Sequence, residues 1–365
     1  VKQGLPFQCS LNGLIRASGL TIRCEEGESV QVFKGRLEMV GCHIEGGKGA
    51  QIGPFRAQGV GLRVKGEAFV QECEFRGYEH AGAVVDGEGR LTLERCLFEG
   101  TSEGSEVAVR VEEKGEAAVR DCQIDPRQRM SIRVTGNGRA LLEGNRSVRT
   151  IVIEGQATAE CRRNTLTAFP YGIRLREQAR AVLEENTIER GAWGILFNDQ
   201  SSGAARRNIC CDTGNGGINV ETTGTVDLEE NRCERFADVG INVGKSARGT
   251  LRGNHCTDGR GDGIRVGDKA APVLRENQCR QNRGSGIRLS GEATPEVEGN
   301  ECDQNGEHGI LCVESAGGTV RRNRCSRNQK DGIHVEKPAR TKLSDNNCQQ
   351  NAGKDLNDGR KWFNF

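Results

Sequence analysis

Asp262, Arg265, Arg288, Glu307, His308, Asp331 and His334 are the residues of this chain whose types could combine into acid–base chemistry. Imidazoles and carboxylates exchange protons, and a guanidinium neutralises a carboxylate or a developing oxyanion. All but Glu307 share a phase. Asp262, His308 and Asp331 each precede a Gly-Ile pair, and Arg265, Arg288 and His334 each follow one. Farther upstream the same phase carries aromatics: Tyr171 precedes Gly172-Ile173, Trp193 precedes Gly194-Ile195, and Phe169 and Arg174 flank the first pair. In a chain with two Trp and two Tyr, such a pair on neighbouring units could stack on a sugar ring or receive a peptide side chain.

The element that positions these side chains is a repeat. Cys210, Cys233, Cys256, Cys279, Cys302, Cys325 and Cys348 follow one another at steps of 23 residues, each two residues after an asparagine (Asn208 to Asn346). Gly-Ile keeps the same step from Gly217 to Gly332. Self-similarity at a fixed short period is the signature of a solenoid. A unit reads roughly V-x-L-x-x-N-x-C-x-x-N-x-x-x-G-I-x-V, with apolar and polar residues alternating over short runs, which is strand spacing. Helical repeats need longer units, and the L-x-x-L-x-L-x-x-N pattern of leucine-rich repeats is absent. What remains is one coil of two or three short strands per unit, stacked in parallel on the next. Crossovers between parallel strands are right-handed. The predicted fold class is therefore all-β, a right-handed parallel β-helix solenoid of roughly 14 coils, capped at both ends.

Asn164, Asn186 and their Gly-Ile pairs continue the pattern upstream, and Cys73, Cys96, Cys122 and Asn145 take the asparagine position at irregular spacings. The predicted organisation is an N-terminal cap with irregular first coils over 1–70, a regular helix over 71–356 and an aromatic cap over 357–365. Lys361-Trp362-Phe363-Asn364-Phe365 at one end, and Leu5, Phe7 and Leu11 at the other, would close the open coil edges. Asparagine tolerates a left-handed backbone and its stacked amides predict a ladder. Glycine is expected to make a bend and isoleucine to enter the core.

Aromatic content is 4%, so Val, Ile, Leu, Cys and Ala are expected to fill the interior. Cysteine packs as a small hydrophobe. Stacked in-register side chains point the same way, which disfavours disulfides even where neighbouring Cα atoms are within reach. No C-x-x-C occurs and there are five histidines, so no structural metal is predicted. Sixteen cysteines used as core filler suit a reducing compartment and predict a cytoplasmic protein, or a secreted one if a leader is removed ahead of Val1. No segment is long and apolar enough to span a membrane. Net charge is +1, and Arg mostly alternates with Glu two residues before the asparagines, as in Arg206, Glu229, Arg252, Arg275, Glu298 and Arg321. That pattern penalises register slips and leaves no basic stripe for nucleic acid.

The strings Leu-Glu-Glu-Asn (183–186, 228–231), Leu-Arg-Glu-Asn (274–277) and Arg-Arg-Asn (206–208, 321–323), with the following Gly-Ile-x-Val, resemble the pectin-lyase-like parallel β-helix repeats of carbohydrate-binding proteins and sugar hydrolases. The regular form is especially similar to that of the F-box only protein 11 and SHC SH2-binding protein group. This likeness covers about residues 70–356 and implies the fold. In the F-box member it implies a substrate-recognition surface, although the flanking F-box and zinc-binding box are not in this sequence. The polygalacturonase motifs Asn-Thr-Asp, Asp-Asp, Gly-His-Gly and Arg-Ile-Lys are absent, and Tyr171-Gly172-Ile173-Arg174 matches only the first two residues of the mannuronan epimerase string Tyr-Gly-Phe-Asp-Pro-His. The expected function is thus a non-catalytic recognition or scaffold module presenting a rigid face to a protein or peptide partner, without a cofactor. Its binding residues would be Tyr171, Trp193, Phe169 and Arg174. The alternative is a carbohydrate-active enzyme, a lyase, epimerase or hydrolase of a uronic-acid polymer. Its catalytic residues would be Arg265, Arg288, His308, His334, Asp262 and Asp331, with calcium if it is a lyase.

Overall fold

The computed structural model describes residues 7–9, 13–24, 28–46, 50–52, 55–57, 59–101, 104–147, 149–167 and 169–360. It is an all-β parallel solenoid of about 14 turns with three parallel sheets, and no helix occurs among the described residues. Two compact units divide it, Val1–Phe169 with Ile173–Ala181, and Pro170–Gly172 with Val182–Phe365.

In the C-terminal unit each coil passes through three short strands, one in each of sheets B, C and A. A representative coil runs Val273–Arg275, Gln278–Arg280 and Ile287–Leu289. Each strand pairs without slip with its counterpart on the next coil: Leu274 faces Val297, Cys279 faces Cys302 and Ile287 faces Ile310. Register is pinned because a shift of one residue would turn every apolar side chain outward. The cysteine column and the Leu228, Leu251, Leu274 and Ile264, Ile287 columns are almost wholly buried. No disulfide joins the cysteines from Cys24 to Cys348.

The corner between sheets B and C is one left-handed residue followed by asparagine. Glu230, Glu276 and Arg322 have φ of 54°, 55° and 55°, and Gly253 and Gly299 have 62° and 66°. The residue before the asparagine, and not the asparagine itself, therefore takes the left-handed backbone. Asparagine holds the corner by hydrogen bonding. Asn254 N–H and Nδ2 donate to Asn277 Oδ1 at 3.0 and 2.9 Å, and Nδ2 also donates to Leu228 O at 2.9 Å. A second ladder, Asn282, Asn305, Asn328 and Asn351, closes the corner after sheet C. Its sequence signal is the second asparagine of the repeat.

The glycine of Gly-Ile does not make a bend. Gly217, Gly240 and Gly263 lie within sheet A strands, and none of them, nor Gly286, has a positive φ. What requires glycine is space. A Cβ on Gly286 would lie 2.7 Å from Gly309 O, 2.8 Å from Cys302 Cβ and 2.9 Å from Cys302 Sγ. The glycine and cysteine columns are thus one packing device, with sulfur filling the room that each missing Cβ leaves. Gly286→Ala is expected to cost about 3 kcal/mol or more of unfolding free energy, at or above the usual range for overpacking because a backbone carbonyl must move. Adding Cys302→Gly should recover only part of that loss. A Gly286→Ala chain with an unchanged urea midpoint would contradict this packing.

Coils of the N-terminal unit vary more. Sulfur takes the ladder position where Cys42 N–H faces Cys73 Sγ at 3.3 Å, and the amide takes over where Cys122 N–H donates to Asn145 Oδ1 at 3.0 Å. Between Cys42 and Cys73 an antiparallel hairpin, Ala50–Ile52 with Phe55–Ala57, lengthens the coil. Phe75 and Phe98 stack inside with ring centroids 4.6 Å apart, and a Cβ on Gly82 would come within 2.6 Å of the Phe98 ring. The expectation of an interior filled by Val, Ile, Leu, Cys and Ala alone fails here. Tyr78, Phe75, Phe98, Phe197 and Phe236 are the largest fully buried side chains, so aromatics contribute to the core of both units. The expected caps at Leu5, Leu11 and Lys361 to Phe365 lie outside the described residues, as does the side chain of Phe7.

Outside the coils of the C-terminal unit, the alternating charges pair as expected. Arg275 lies 3.7 Å and Arg321 3.0 Å from Glu298 on the intervening coil. Each such exposed pair contributes about 0.2–1 kcal/mol, which favours one register without supplying much stability.

Candidate acid–base site

Sheet A of the C-terminal unit carries the candidate residues in two rows. Asn219, Asn242, Arg265, Arg288, Leu311, His334 and Asn357 succeed one another in register. Asp262, Ser285, His308 and Asp331 precede the glycines at the leading edge of the sheet.

The leading-edge residues are buried, with Asp262 4%, His308 8% and Asp331 8% exposed. Each holds the backbone of the next coil. Asp262 Oδ1 accepts from Ser285 N–H at 2.9 Å, His308 Nδ1 from Asp331 N–H at 3.2 Å and Asp331 Oδ1 from Lys354 N–H at 2.7 Å. Arg265 is engaged as well, donating to Asp262 Oδ2 at 3.0 Å and to both oxygens of Asp238 at 3.1 Å. Burial works against its charge, but these carboxylates outweigh it and raise its pKa. Glu307 is paired with Lys330 at 2.8 Å. Asp262 and Asp331 stand three coils apart, roughly 14 Å. The expected seven-residue cluster is therefore not a single site.

A smaller group is. Asp331 Oδ2 lies 2.6 Å from His334 Nδ1 and 3.6 Å from His308 Nδ1, and the two imidazole rings sit 4.7 Å apart at a tilt of 31°. Asn357 Nδ2 lies 3.0 Å from both Asp331 Oδ2 and His334 Nδ1. Repeat phase could have found Asn357, which follows His334 in the row, but its coil lacks the Gly-Ile mark. Burial first, and then the neighbouring His334, lower the pKa of His308. Burial alone would raise the Asp331 carboxyl. Hydrogen bonds from Asn357 and from Lys354 N–H outweigh it and hold the carboxyl below its usual value. His334 keeps 19% of its side chain exposed, with Nε2 3.6 Å from Glu336. Arg288 is half-buried two places before His334 in the row, roughly 10 Å away at the Cα level; it forms no ion pair within 4 Å among the described residues, and its charge helps to hold the Glu307 carboxyl below its usual value. An oriented imidazole and a guanidinium held in no close ion pair on one face can hold a carboxylate and move a proton beside it.

Among the aromatics, Phe169 is 67% exposed and Tyr171, Arg174 and Trp193 are half-buried. Trp193 covers Gly216 on the next coil, where a Cβ would come within 2.4 Å of its ring. Phe169 and Arg174 belong to the N-terminal unit, Tyr171 and Trp193 to the C-terminal one. The N-terminal unit also holds a charged group with no periodic signal: His80 Nδ1 lies 2.5 Å from Glu106, and Arg110 contacts its other ring nitrogen.

Among the described residues one group of side chains could hold a metal ion, His308, Asp331 and His334, whose donor atoms lie within 4.8 Å of one another. Two nitrogens and one carboxylate do not fit calcium, which takes six to eight oxygens. The calcium expected under the lyase alternative finds no site there.

Among solved structures the chain is similar to the periplasmic alginate epimerase AlgG, at 12% identity over 90% of this chain and 78% of that one, with a TM-score of 0.48. It is also similar to a mannuronic acid specific polysaccharide family 6 lyase from human gut microbiota, at 12% identity over 91% and 83%, with a TM-score of 0.38. At these values neither likeness carries an activity over to this chain. No curated protein matches it. The family model described as right handed beta helix region matches residues 107–248, 149–290 and 216–361. Those spans together cover more than half of the sequence, including the asparagine ladder and the glycine and cysteine columns, and the chain belongs to the right-handed β-helix family.

Proposed function

We propose that the C-terminal unit is a carbohydrate-active enzyme that acts on a uronic-acid polymer, with Arg288 holding a sugar carboxylate and His334 taking the proton from the adjoining carbon. The observation that carries this reading is the 2.6 Å contact of Asp331 with His334, on a face where Arg288 forms no ion pair within 4 Å among the described residues. A carbon beside a carboxylate releases its proton only if the charge that spreads onto the carboxylate is stabilised, which is the guanidinium's part. Asp331 fixes the ring and stabilises the imidazolium that forms. The proton passes to His334 Nε2. The electron pair left on carbon forms a double bond to its neighbour and expels the glycosidic oxygen, which leaves with a proton from water. Proton return to the opposite face of the same carbon would give the epimer instead.

The recognition module comes second, on the exposure of Phe169 at 67%. A polymer substrate goes with the secreted alternative, and the cytoplasmic expectation goes with the module. No helix of the described residues is long and apolar enough to cross a membrane.

A panel of polyuronates with chelator present tests the reading, followed by double-bond absorbance, reducing ends and solvent proton exchange. Turnover is expected on at least one polymer. Arg288→Ala should raise KM about tenfold or more, the worth of one charge-assisted contact. Absence of turnover on every polymer sinks the enzyme and puts the recognition module first.

A further inference from the structure

We propose that His308, Asp331, His334 and Asn357 form a binding site for a divalent transition-metal ion of the zinc or cobalt class. The site is independent of the activity proposed above, since it is a statement about binding alone.

A conflict among hydrogen bonds points to it. His334 Nδ1 lies 2.6 Å from Asp331 Oδ2 and 3.0 Å from Asn357 Nδ2. One ring nitrogen cannot donate to the carboxylate and accept from the amide at once. Asn357 Nδ2 is also 3.0 Å from Asp331 Oδ2, and His308 Nδ1 is 3.6 Å from that oxygen. Four polar atoms from three successive coils thus converge on one point. An ion there satisfies all of them. Two imidazole nitrogens and the carboxylate oxygen each offer a lone pair, and half a turn of the Asn357 amide presents its oxygen in place of the nitrogen.

The dimensions agree. Zinc takes nitrogen and oxygen donors at about 2.0–2.2 Å in a tetrahedron, which sets the donors roughly 3.4 Å apart. Four of the separations, 2.6, 3.0, 3.0 and 3.6 Å, straddle that value, and the donor atoms of His308, Asp331 and His334 all lie within 4.8 Å of one another. Binding costs His308 the bond it accepts from Asp331 N–H, a long one at 3.2 Å. The outer contacts already suit an ion. Asp331 Oδ1 is held by Lys354 N–H at 2.7 Å, and Glu336 lies 3.6 Å from His334 Nε2, the ring atom turned away from the ion. A carboxylate behind a metal-bound imidazole orients the ring and raises its basicity. An ion on Nδ1 leaves the remaining proton on Nε2, so metal and the proposed proton transfer exclude one another. That is why the activity assay contains chelator.

Cobalt(II) titrated into the reduced, metal-free full chain tests the site by visible absorption and calorimetry. One equivalent should bind with the ligand-field bands of a four-coordinate ion, and calcium at the same concentration should not displace it. His334→Ala and Asp331→Asn should each weaken binding tenfold or more, with circular dichroism reporting the fold. Asn357→Asp, which supplies a charged oxygen, should tighten it tenfold or more, a gain that misfolding cannot mimic. Three results would each overturn the site: no binding, binding indifferent to all three variants, or a sulfur-to-cobalt charge-transfer band that assigns the ion to the thiols. Because no polymer enters the titration, failure of the activity leaves this result standing, and failure of the site leaves the activity standing.

Discussion

Asn277→Leu is expected to lower the unfolding free energy of the C-terminal unit by about 3–5 kcal/mol, although leucine has the same number and branching of side-chain heavy atoms as asparagine. Asn277 Oδ1 accepts from Asn254 N–H at 3.0 Å and Asn254 Nδ2 at 2.9 Å. Its own Nδ2 donates to Leu251 O and to Asn300 Oδ1, both at 2.8 Å. Asn277 is 0% exposed, so water cannot replace what leucine fails to offer. Two donors of Asn254 and the Leu251 carbonyl lose a partner together, and each buried orphan costs about 1–3 kcal/mol. Coils contact only their neighbours, so the loss should also broaden the urea transition as the unit comes apart at that coil. A midpoint shift worth under about 1 kcal/mol would show that the ladder is ornament to a register already fixed by sheet pairing.

Identical side chains at identical phase are legible because stacking gives each of them the same surroundings. Asn277 predicts Asn300, and Cys279 predicts Cys302, without any knowledge of the corner between them. The corner itself is harder. Its left-handed position holds Glu276 in one coil and Gly299 in the next, so no single residue type marks it, and asparagine draws the assignment by its reputation in turns. Glycine beside isoleucine misleads in the same way, because the clash that excludes a Cβ at Gly286 involves Cys302, which is 16 residues later and on another coil. For the site, phase identifies a face but not what folds over it. Asp262 and Asp331 share their phase with the half-buried Tyr171 and Trp193, yet both are consumed by amides of the following coil. Arg265 meets Asp238 across 27 residues, a coil plus an offset that no column reveals. The aromatics of the N-terminal unit escape for a related reason, since Phe75 and Phe98 fill a column that cysteine fills downstream.

His334→Ala should lower kcat by about 10²–10⁴ with KM changed by less than about threefold, whereas Arg288→Ala should act mainly on KM. The split follows from the geometry. His334 belongs to the chemical step, because its ring is oriented by Asp331 at 2.6 Å and its outer edge is solvent-accessible, with 19% of the side chain exposed. Arg288 lies two coils before it and would hold a carboxylate already present in the ground state. A purely structural role for His334 would lower the stability of the chain and its activity in parallel. Truncation also opens a cavity to solvent, so added imidazole should restore part of the lost turnover in His334→Ala and none in Arg288→Ala. Rescue of that kind requires a missing proton acceptor and not a missing packing contact. If His334→Ala keeps kcat within about threefold of the parent, the base lies elsewhere on the solenoid. The Asp331–His334 pair would then be left to its other duties, holding the coil of Lys354 and contributing donors to an ion.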